Sequence, residues 1–188
     1  MPGLRLFVGV GVPGVYQDEL GRLARVWQEK LRSRTSWTRP GNWHLTLKFL
    51  GDVNETRVAA VRRGLETVAF APFMAQAKGA GIFPDKGPPR VIWVGLGQGA
   101  PELATLAGQV DEALGPLGLA REARPFQPHL TLCRVKHARG DPWREVIGEI
   151  ARSSWPGFSV ESFTLWRSVL GPDGPNYSVL ARFGATSM

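Results

Sequence analysis

Cysteine occurs once among the 188 residues, at Cys133, which excludes an intramolecular disulfide framework and any thiolate-rich zinc or iron–sulfur site. A chain without disulfides suits a reducing compartment, and a cytoplasmic location is the expectation. Long apolar runs are missing too. No segment approaches the roughly 20 consecutive apolar residues of a membrane span, and the opening MPGLRLFVGVGVPG has one Arg before a short apolar run with no signal-like cleavage region behind it. Acidic residues are in deficit: 23 Lys plus Arg face 16 Asp plus Glu, a formal net charge of +7. Such a potential attracts phosphate-rich partners, nucleic acid first among them. The excess is mostly arginine, 18 to 5 lysines, which suits bidentate phosphate contacts, although a GC-rich coding sequence produces the same bias. Histidine is scarce at three, so the place of each is informative.

What is abundant is core material. With 43% apolar residues, seven Trp and nine Phe, the chain is that of a globular protein near the upper size of one domain, and disorder is excluded. Leu4 to Val12 reads as a buried strand, and Tyr16, Leu20, Leu23, Trp27 and Leu31 form an apolar stripe on a helix from about Val15 to Arg32. Trp43 to Leu50 is a second strand. Asp52 or Asn54 caps a second helix carrying Val58, Val61, Leu65 and Val68, and Phe73 to Phe83 is a strand. The turn Pro84–Pro89 leads into RVIWVGL, a hairpin partner for that strand. Leu103, Leu106, Val110, Leu114 and Leu117 mark a third helix, His129 to Val135 a strand, and Asp141 with Pro142 opens a fourth helix. Phe158 to Val169 and Tyr177 to Phe183 read as strands around a Gly-Pro-Asp-Gly-Pro turn.

Laid over itself with a shift of 85 residues, the chain repeats: Arg5–Val10 falls on Arg90–Gly95, His44-Leu-Thr-Leu47 on His129-Leu-Thr-Leu132, and Phe73 on Phe158. Each half is strand, helix, strand, helix, strand. The expectation is one bilobal domain over 1–188, with pseudo-repeats at about 4–83 and 89–168. Residues 89–97 are assignable to either half, and 175–183 form a final strand. Two halves with one apolar face each would make two lobes about a pseudo-two-fold axis.

On a strand, His44 and Thr46 project to one face while Leu45, Leu47 and Phe49 project to the other, and His129 and Thr131 behave alike. If the axis passes between these strands, two imidazoles and two hydroxyls meet in one cleft. That set suits phosphodiester hydrolysis, in which one ring takes a proton from the attacking oxygen and the other gives one to the departing oxygen. The threonines can donate to nonbridging phosphoryl oxygens, and no metal is required. A single HLTL is most simply a half-buried strand with a surface His. Two copies at equivalent places in a repeat favour the functional reading.

WHLTLKFLG and PHLTLCR resemble the paired H-x-T-x signatures of the two-histidine phosphoesterase superfamily, and among them the RNA 2′,3′-cyclic phosphodiesterases, historically called 2′-5′ RNA ligases. RLFVGV, PPRVIWVGL and RPFQPHLTLCR extend the resemblance over nearly the whole chain. It implies a bilobal α+β fold, mainly antiparallel sheets with outer helices around a central cleft, and no cofactor. It also implies hydrolysis of RNA 2′,3′-cyclic phosphate ends to 2′-phosphates, with a weak, reversible 2′-5′ joining activity in some members. By the same resemblance His44 is the proton donor, His129 the acceptor, Thr46 and Thr131 hold the phosphate, and Arg134 matches the basic residue that closes the second motif. The symmetry of the site leaves acid and base undistinguished without the family. Strict alternation puts Arg134 on the Leu130 side, so it reaches the cleft only if the strand bends, whereas Lys48 shares the face of His44 and is a lesser phosphate candidate.

Other signals are weaker. Gly9-Val-Gly-Val-Pro-Gly14 satisfies G-x-G-x-x-G, but the acidic residue a dinucleotide site needs is missing, and turn glycines explain the match. Cys133 shares the His129 face by alternation and reads as inert, and His137 reads as a solvated loop residue. Trp37, Phe126 and Trp93 are candidates for stacking a terminal base. The expected partner is RNA with a cyclic phosphate end, and the expected state a monomer. The residues leave two alternatives open: a noncatalytic RNA or phosphate binder, and a cyclic phosphodiesterase acting on a small nucleotide such as an ADP-ribose cyclic phosphate.

Overall fold

A computed structural model of the chain describes residues 3–172 and 174–186, so Asp173 of the expected Gly171–Pro175 turn lies outside the described residues. The elements run β1 (Leu4–Gly11), α1 (Gly14–Lys30), β2 (Arg34–Trp37), β3 (His44–Val53), α2 (Val58–Glu66), β4 (Phe73–Ala75), β5 (Ala77–Phe83) and β6 (Val91–Leu96). They continue with α3 (Ala100–Leu114), β7 (His129–His137), α4 (Trp143–Ala151), β8 (Phe158–Val160), β9 (Ser162–Gly171) and β10 (Gly174–Gly184). Among the described residues no helix is long and apolar enough to cross a membrane.

The strands form two four-stranded antiparallel sheets, ordered β10-β9-β1-β3 and β2-β7-β6-β5, with β4 and β8 paired between them. Helices α2 and α3 pack on the first sheet, α1 and α4 on the second. The molecule is therefore the expected bilobal α+β protein with outer helices, but its lobes are not its sequence halves. β5, from the first half, pairs with β6 in the second lobe, and β9, from the second half, pairs with β1 in the first. Helices α1 and α3 cross over likewise. RVIWVGL does both things that the sequence left open, pairing with β5 as a hairpin and with β7 as the centre of a sheet.

The pseudo-two-fold axis can be read from the β4–β8 pair. Phe73 faces Val160, Met74 faces Ser159 and Ala75 faces Phe158, so under the shift of 85 Met74 meets its own equivalent while Phe73 and Ala75 each meet the equivalent of the other. The chain breaks after both strands, at Gln76 and at Glu161, which are also 85 apart. The unbroken strands expected over Phe73–Phe83 and Phe158–Val169 are thus each two strands, which lets one segment serve the axis and then the opposite lobe. In the first strand the shift is 84. Val10 pairs with Leu45 while Val94 pairs with Leu130, so Val10 matches Val94 and not Gly95. A one-residue slip exchanges the faces of a strand, and the actual register buries Val8 and Val10 as it buries Ile92 and Val94.

Three further differences have local causes. β2 carries too few apolar residues to stand out in sequence and forms by edge pairing with β7. Asp141 does not cap α4. Its carboxylate accepts from the backbone N–H groups of Arg32 and Ser33, both at 2.9 Å, and fixes the chain between α1 and β2. His137 is the last residue of β7 and not a loop residue.

Gly9 is explained by close approach and not by a nucleotide. A Cβ there would sit 2.5 Å from the Leu45 carbonyl oxygen and 3.2 Å from Cζ3 of Trp166, which lies over the glycine. Gly14, by contrast, has nothing within 4 Å of a built Cβ. Gly9→Ala is expected to cost about 1–3 kcal/mol by overpacking, whereas Gly14→Ala in the first turn of α1 is expected to be neutral or to add up to about 1 kcal/mol. Urea denaturation of the two variants checks the contrast.

Candidate active site

β3 and β7 lie side by side where the two sheets meet, and each begins with its histidine. The Nδ1 of His44 is 2.7 Å from the carbonyl oxygen of Asn42, and the Nδ1 of His129 is 2.8 Å from that of Gln127. A carbonyl only accepts, so in both rings Nδ1 carries the hydrogen and Nε2 is the nitrogen left to do chemistry. Thr46 Oγ1 stands 3.0 Å from Nε2 of His44, where its hydroxyl donates to the neutral ring. The loop before β3 is held from two sides. Gln17 on α1 donates to the Trp43 carbonyl at 2.8 Å and accepts from Gly41 N–H at 2.9 Å, while Asn42 Nδ2 donates to the Pro175 carbonyl at 2.8 Å in β10. Thr38 Oγ1 donates to the Thr131 carbonyl at 2.8 Å and ties the same loop to β7.

A β-bulge follows each threonine and decides which side chains enter the cleft. Gly9 pairs with Thr46 but Val8 with Lys48, and Trp93 pairs with Thr131 but Ile92 with Cys133, so Leu47 and Leu132 are extra residues. A bulge reverses the alternation beyond it. Lys48 accordingly turns to the helix side, where it is 6% exposed and donates to the Asp111 carboxylate on α3 and to the Ala120 carbonyl at 2.6 Å. The phosphate-binding place that alternation gave Lys48 is corrected: the side chain is a buried partner of α3. Cys133 also leaves the His129 face, fully buried, and burial pushes its thiol up to about 12.

The same reversal brings Arg134 to the cleft side, close enough for its charge to act on both His129 and Tyr177. It brings Phe49 as well, a residue the sequence reading assigned to the opposite face. Phe49 is 65% exposed, and its ring is 6.2 Å from Phe7, which is itself 4.6 Å from the His44 ring. Phe49 and Arg134 occupy equivalent places 85 apart. The missed signal was the sixth position of each motif, HLTLKF and HLTLCR, readable only with the bulge in hand.

Aromatic walls back both histidines. Trp166 and Tyr177 lie 5.6 and 5.3 Å from His44, and Phe83 and Trp93 lie 5.1 and 6.2 Å from His129, all measured between ring centres. In one lobe Trp166 of β9 covers Gly9 of β1, and in the other Trp93 of β6 covers Gly81 of β5, so large and small residues exchange strands across the axis. Of the stacking candidates, Trp37 and Phe126 both pack against the core, and Phe126 also lines, with Trp93, a pocket that reaches Pro128, the residue before His129.

These walls set the electrostatics. Burial pulls the His44 imidazole down to about 4, the Asn42 carbonyl opposes the shift, and the charge of His129 adds to it, which places the two rings within electrostatic reach of each other. Burial also lowers His129, against its bond to Gln127, and Arg134 pushes it further down. Both rings are therefore neutral at pH 7. Among the described residues no three His, Cys, Asp or Glu side chains cluster as metal ligands.

The family model described as LigT like Phosphoesterase matches the chain twice, over residues 10–93 and 94–177. The chain is 34% identical to the RNA 2′,3′-cyclic phosphodiesterase of Archaeoglobus fulgidus over 180 residues, covering 96% of this chain and 99% of that one. It is 31% identical to the Aquifex aeolicus protein of the same name, covering 97% and 98%. Among solved structures, a protein of Thermus thermophilus superposes with a TM-score of 0.78 at 29% identity, over 96% of this chain and 97% of that one. E. coli LigT complexed with 3′-AMP superposes with a TM-score of 0.75 at 25% identity over the full length of both.

If Lys48 serves the fold and not the phosphate, Lys48→Met will lower stability by about 3 kcal/mol, the low end for breaking a buried pair because Asp111 keeps some contact with water. Phosphoesterase KM should be unchanged in the folded fraction. Chemical denaturation together with steady-state kinetics checks both halves.

Proposed function

The chain belongs to the LigT like phosphoesterase family, and from that premise we propose that it hydrolyses 2′,3′-cyclic phosphate ends of RNA to 2′-phosphates by proton transfer between His44 and His129. The observation that carries the reading is the pair of imidazoles on equivalent strands at one cleft, each with Nδ1 tied to the carbonyl two residues before it. Relatives named RNA 2′,3′-cyclic phosphodiesterase, similar over nearly their whole length, support the substrate class.

The unequal partners of the two rings support the direction of proton transfer. Phe49, the exposed aromatic on the His44 side, is the surface on which the terminal base stacks. The ribose of that nucleotide then lies beside His44, whose Nε2 protonates the departing O3′. Water enters from the far side of phosphorus, in line, beside His129, whose Nε2 takes its proton. Arg134 neutralises the nonbridging oxygens and keeps His129 deprotonated, as a base requires. Thr46 and Thr131 donate to those same oxygens, and the transition state gains more from these donors than the ground state does. No step calls on a metal ion. Weak 2′-5′ joining follows when a ribose hydroxyl takes the place of water.

The test is turnover of a 2′,3′-cyclic-phosphate oligonucleotide in EDTA. The expected product is the 2′-phosphate, and His44→Ala and His129→Ala are each expected to lose about 10²–10⁴ in rate while remaining folded. Salt-sensitive RNA binding without product would return the noncatalytic alternative.

The pH dependence follows from the lowered rings. Turnover needs one proton shared between them, so kcat/KM, which reports the free enzyme, is bell-shaped. Because burial disfavours the charged form of both rings, the alkaline limb is expected below the ordinary imidazole value of about 6.5. A bound phosphate anion stabilises the imidazolium, so the kcat limb is expected at higher pH than the kcat/KM limb. Steady-state profiles on a cyclic mononucleotide measure both, and coincident limbs above neutrality would contradict this electrostatic account.

A further inference from the structure

One row of polar side chains on the cleft face of the first sheet takes no part in the proton transfers. Arg5 stands two residues before Phe7 on β1, so it shares the face on which the Phe7 ring meets that of His44. Leu6 pairs with Arg167 and Phe7 with Trp166, and the same register continued by one residue sets Arg5 opposite Ser168, the cross-strand partner of Tyr177 on β10. Arg5, Ser168 and Tyr177 thus form one row across three strands. The row beside it is Phe49, Phe7 and Trp166. Tyr177 leans toward the site: its ring lies 4.8 Å from Phe7 and 5.3 Å from His44, and the bond from the Asn42 amide to the Pro175 carbonyl fixes the hairpin two residues before it.

The row is cationic and uncommitted. Burial raises the Tyr177 phenol, and the charges of Arg134 and Arg5 oppose that shift, so both guanidiniums stand near its hydroxyl. Neither the phenol hydroxyl nor the Arg5 side chain makes a hydrogen bond or ion pair among the described residues, although Asp52 is the cross-strand neighbour of Arg5. The cation has no copy in the second lobe, because the shift of 84 that relates the first strands sets Arg5 against Pro89. It belongs to the lobe that carries the exposed Phe49. We propose that Arg5, Ser168 and Tyr177 form a second anion subsite, one nucleoside removed from the reacting phosphate, which takes the phosphate on the 5′ side of the terminal nucleoside. In an RNA strand that group is the last internucleotide phosphodiester. The subsite rests on the cyclic phosphodiesterase reading above and narrows its substrate. With the base on Phe49 and O2′ and O3′ turned to the histidines, C5′ at the other end of the ribose points to the neighbouring row, where its phosphate meets a guanidinium and two hydroxyls. A strand end fills both anion sites, and a nucleoside 2′,3′-cyclic phosphate fills one.

The experiment compares kcat/KM for hydrolysis of a nucleoside 2′,3′-cyclic phosphate, the same compound with a 5′-phosphate, the corresponding dinucleotide 2′,3′-cyclic phosphate, and that dinucleotide with its internal linkage made uncharged as a methylphosphonate. The dinucleotide and the 5′-phosphate should exceed the other two by about tenfold, the scale of one charge-assisted hydrogen bond. Arg5→Gln should bring that ratio toward one and Arg5→Lys should restore part of it, whereas an arginine that served only the fold would alter all four rates alike. The methylphosphonate comparison is made on the native protein and depends on no variant folding. Indifference of the native protein to the linkage charge, or a preference that survives Arg5→Gln, overturns the subsite and leaves the phosphodiesterase reading standing. A gain confined to the 5′-phosphate overturns the RNA strand as its source. Hydrolysis of none of the four overturns subsite and reading together.

Discussion

One extra residue in each motif strand governs the cleft. Without the bulges at Leu47 and Leu132, β3 would send Lys48 and β7 would send Cys133 toward the cleft, and Phe49 and Arg134 would be turned toward the helices. An ammonium and a thiol would then stand where the protein places an aromatic ring and a guanidinium. The bulges also let the strands keep their leucines. Leu45, Leu47, Leu130 and Leu132 are all buried, so each strand is anchored through its core face on both sides of the irregularity. The anchoring is what makes a bulge tolerable, because the ladder bonds lost at one residue are offset by burial of the leucines around it.

The same anchoring shapes the protonation chemistry. A histidine at the head of a buried strand is surrounded by whatever covers that strand, and here the covers are Phe7, Trp166 and Tyr177 on one side and Phe83 and Trp93 on the other. Apolar walls disfavour imidazolium, and the carbonyls of Asn42 and Gln127 recover only part of that loss. The resting site is therefore uncharged on both rings, with Arg134 as a permanent cation beside it. On the proposed reading, an anionic substrate would enter a cleft that holds one fixed positive charge and two latent ones, and its own charge would draw the proton that the reaction needs. Substrate binding and activation of the acid would then be one electrostatic event.

Much of this was legible before coordinates. The repeat, the His/Thr strands and the amphipathic helices depend on periodicity and identity, which sequence displays directly, and the structure places His44 and His129 at one cleft. Local interruptions of period were not legible. The bulges left no mark in HLTLKF or HLTLCR, because an extra leucine at an apolar position of an alternating run looks like an unbroken strand. The breaks at Gln76 and Glu161 were hidden for the same reason. The one-residue offset of the first strand was masked by the chance match of Arg5 with Arg90, a pair of exposed residues on which packing makes no demand. Asp141 read as a cap because a cap and a loop tether use the same chemistry, a carboxylate accepting from backbone N–H groups, and only the fold says whose.

Duplication poses a chemical difficulty that the structure resolves at a few positions. A site symmetric about its axis would treat both faces of phosphorus alike, whereas hydrolysis of a cyclic phosphate needs a leaving side and an attacking side. The positions of the histidines and threonines and the tied Nδ1 atoms are symmetric, and so, with strands exchanged, are the tryptophans over their glycines, although only Thr46 bonds its own histidine among the described residues. The sixth motif position is not. Phe49 gives one lobe an exposed ring that suits a nucleobase, and Arg134 gives the other a charge that suits a phosphate and depresses the basicity of its neighbour. Exchange of this single pair of side chains between the lobes would, on these grounds, turn the substrate around in the cleft before it altered either proton carrier. On the proposed reading, direction would be carried by the groups that orient the nucleotide, and the two imidazoles would inherit their roles from it.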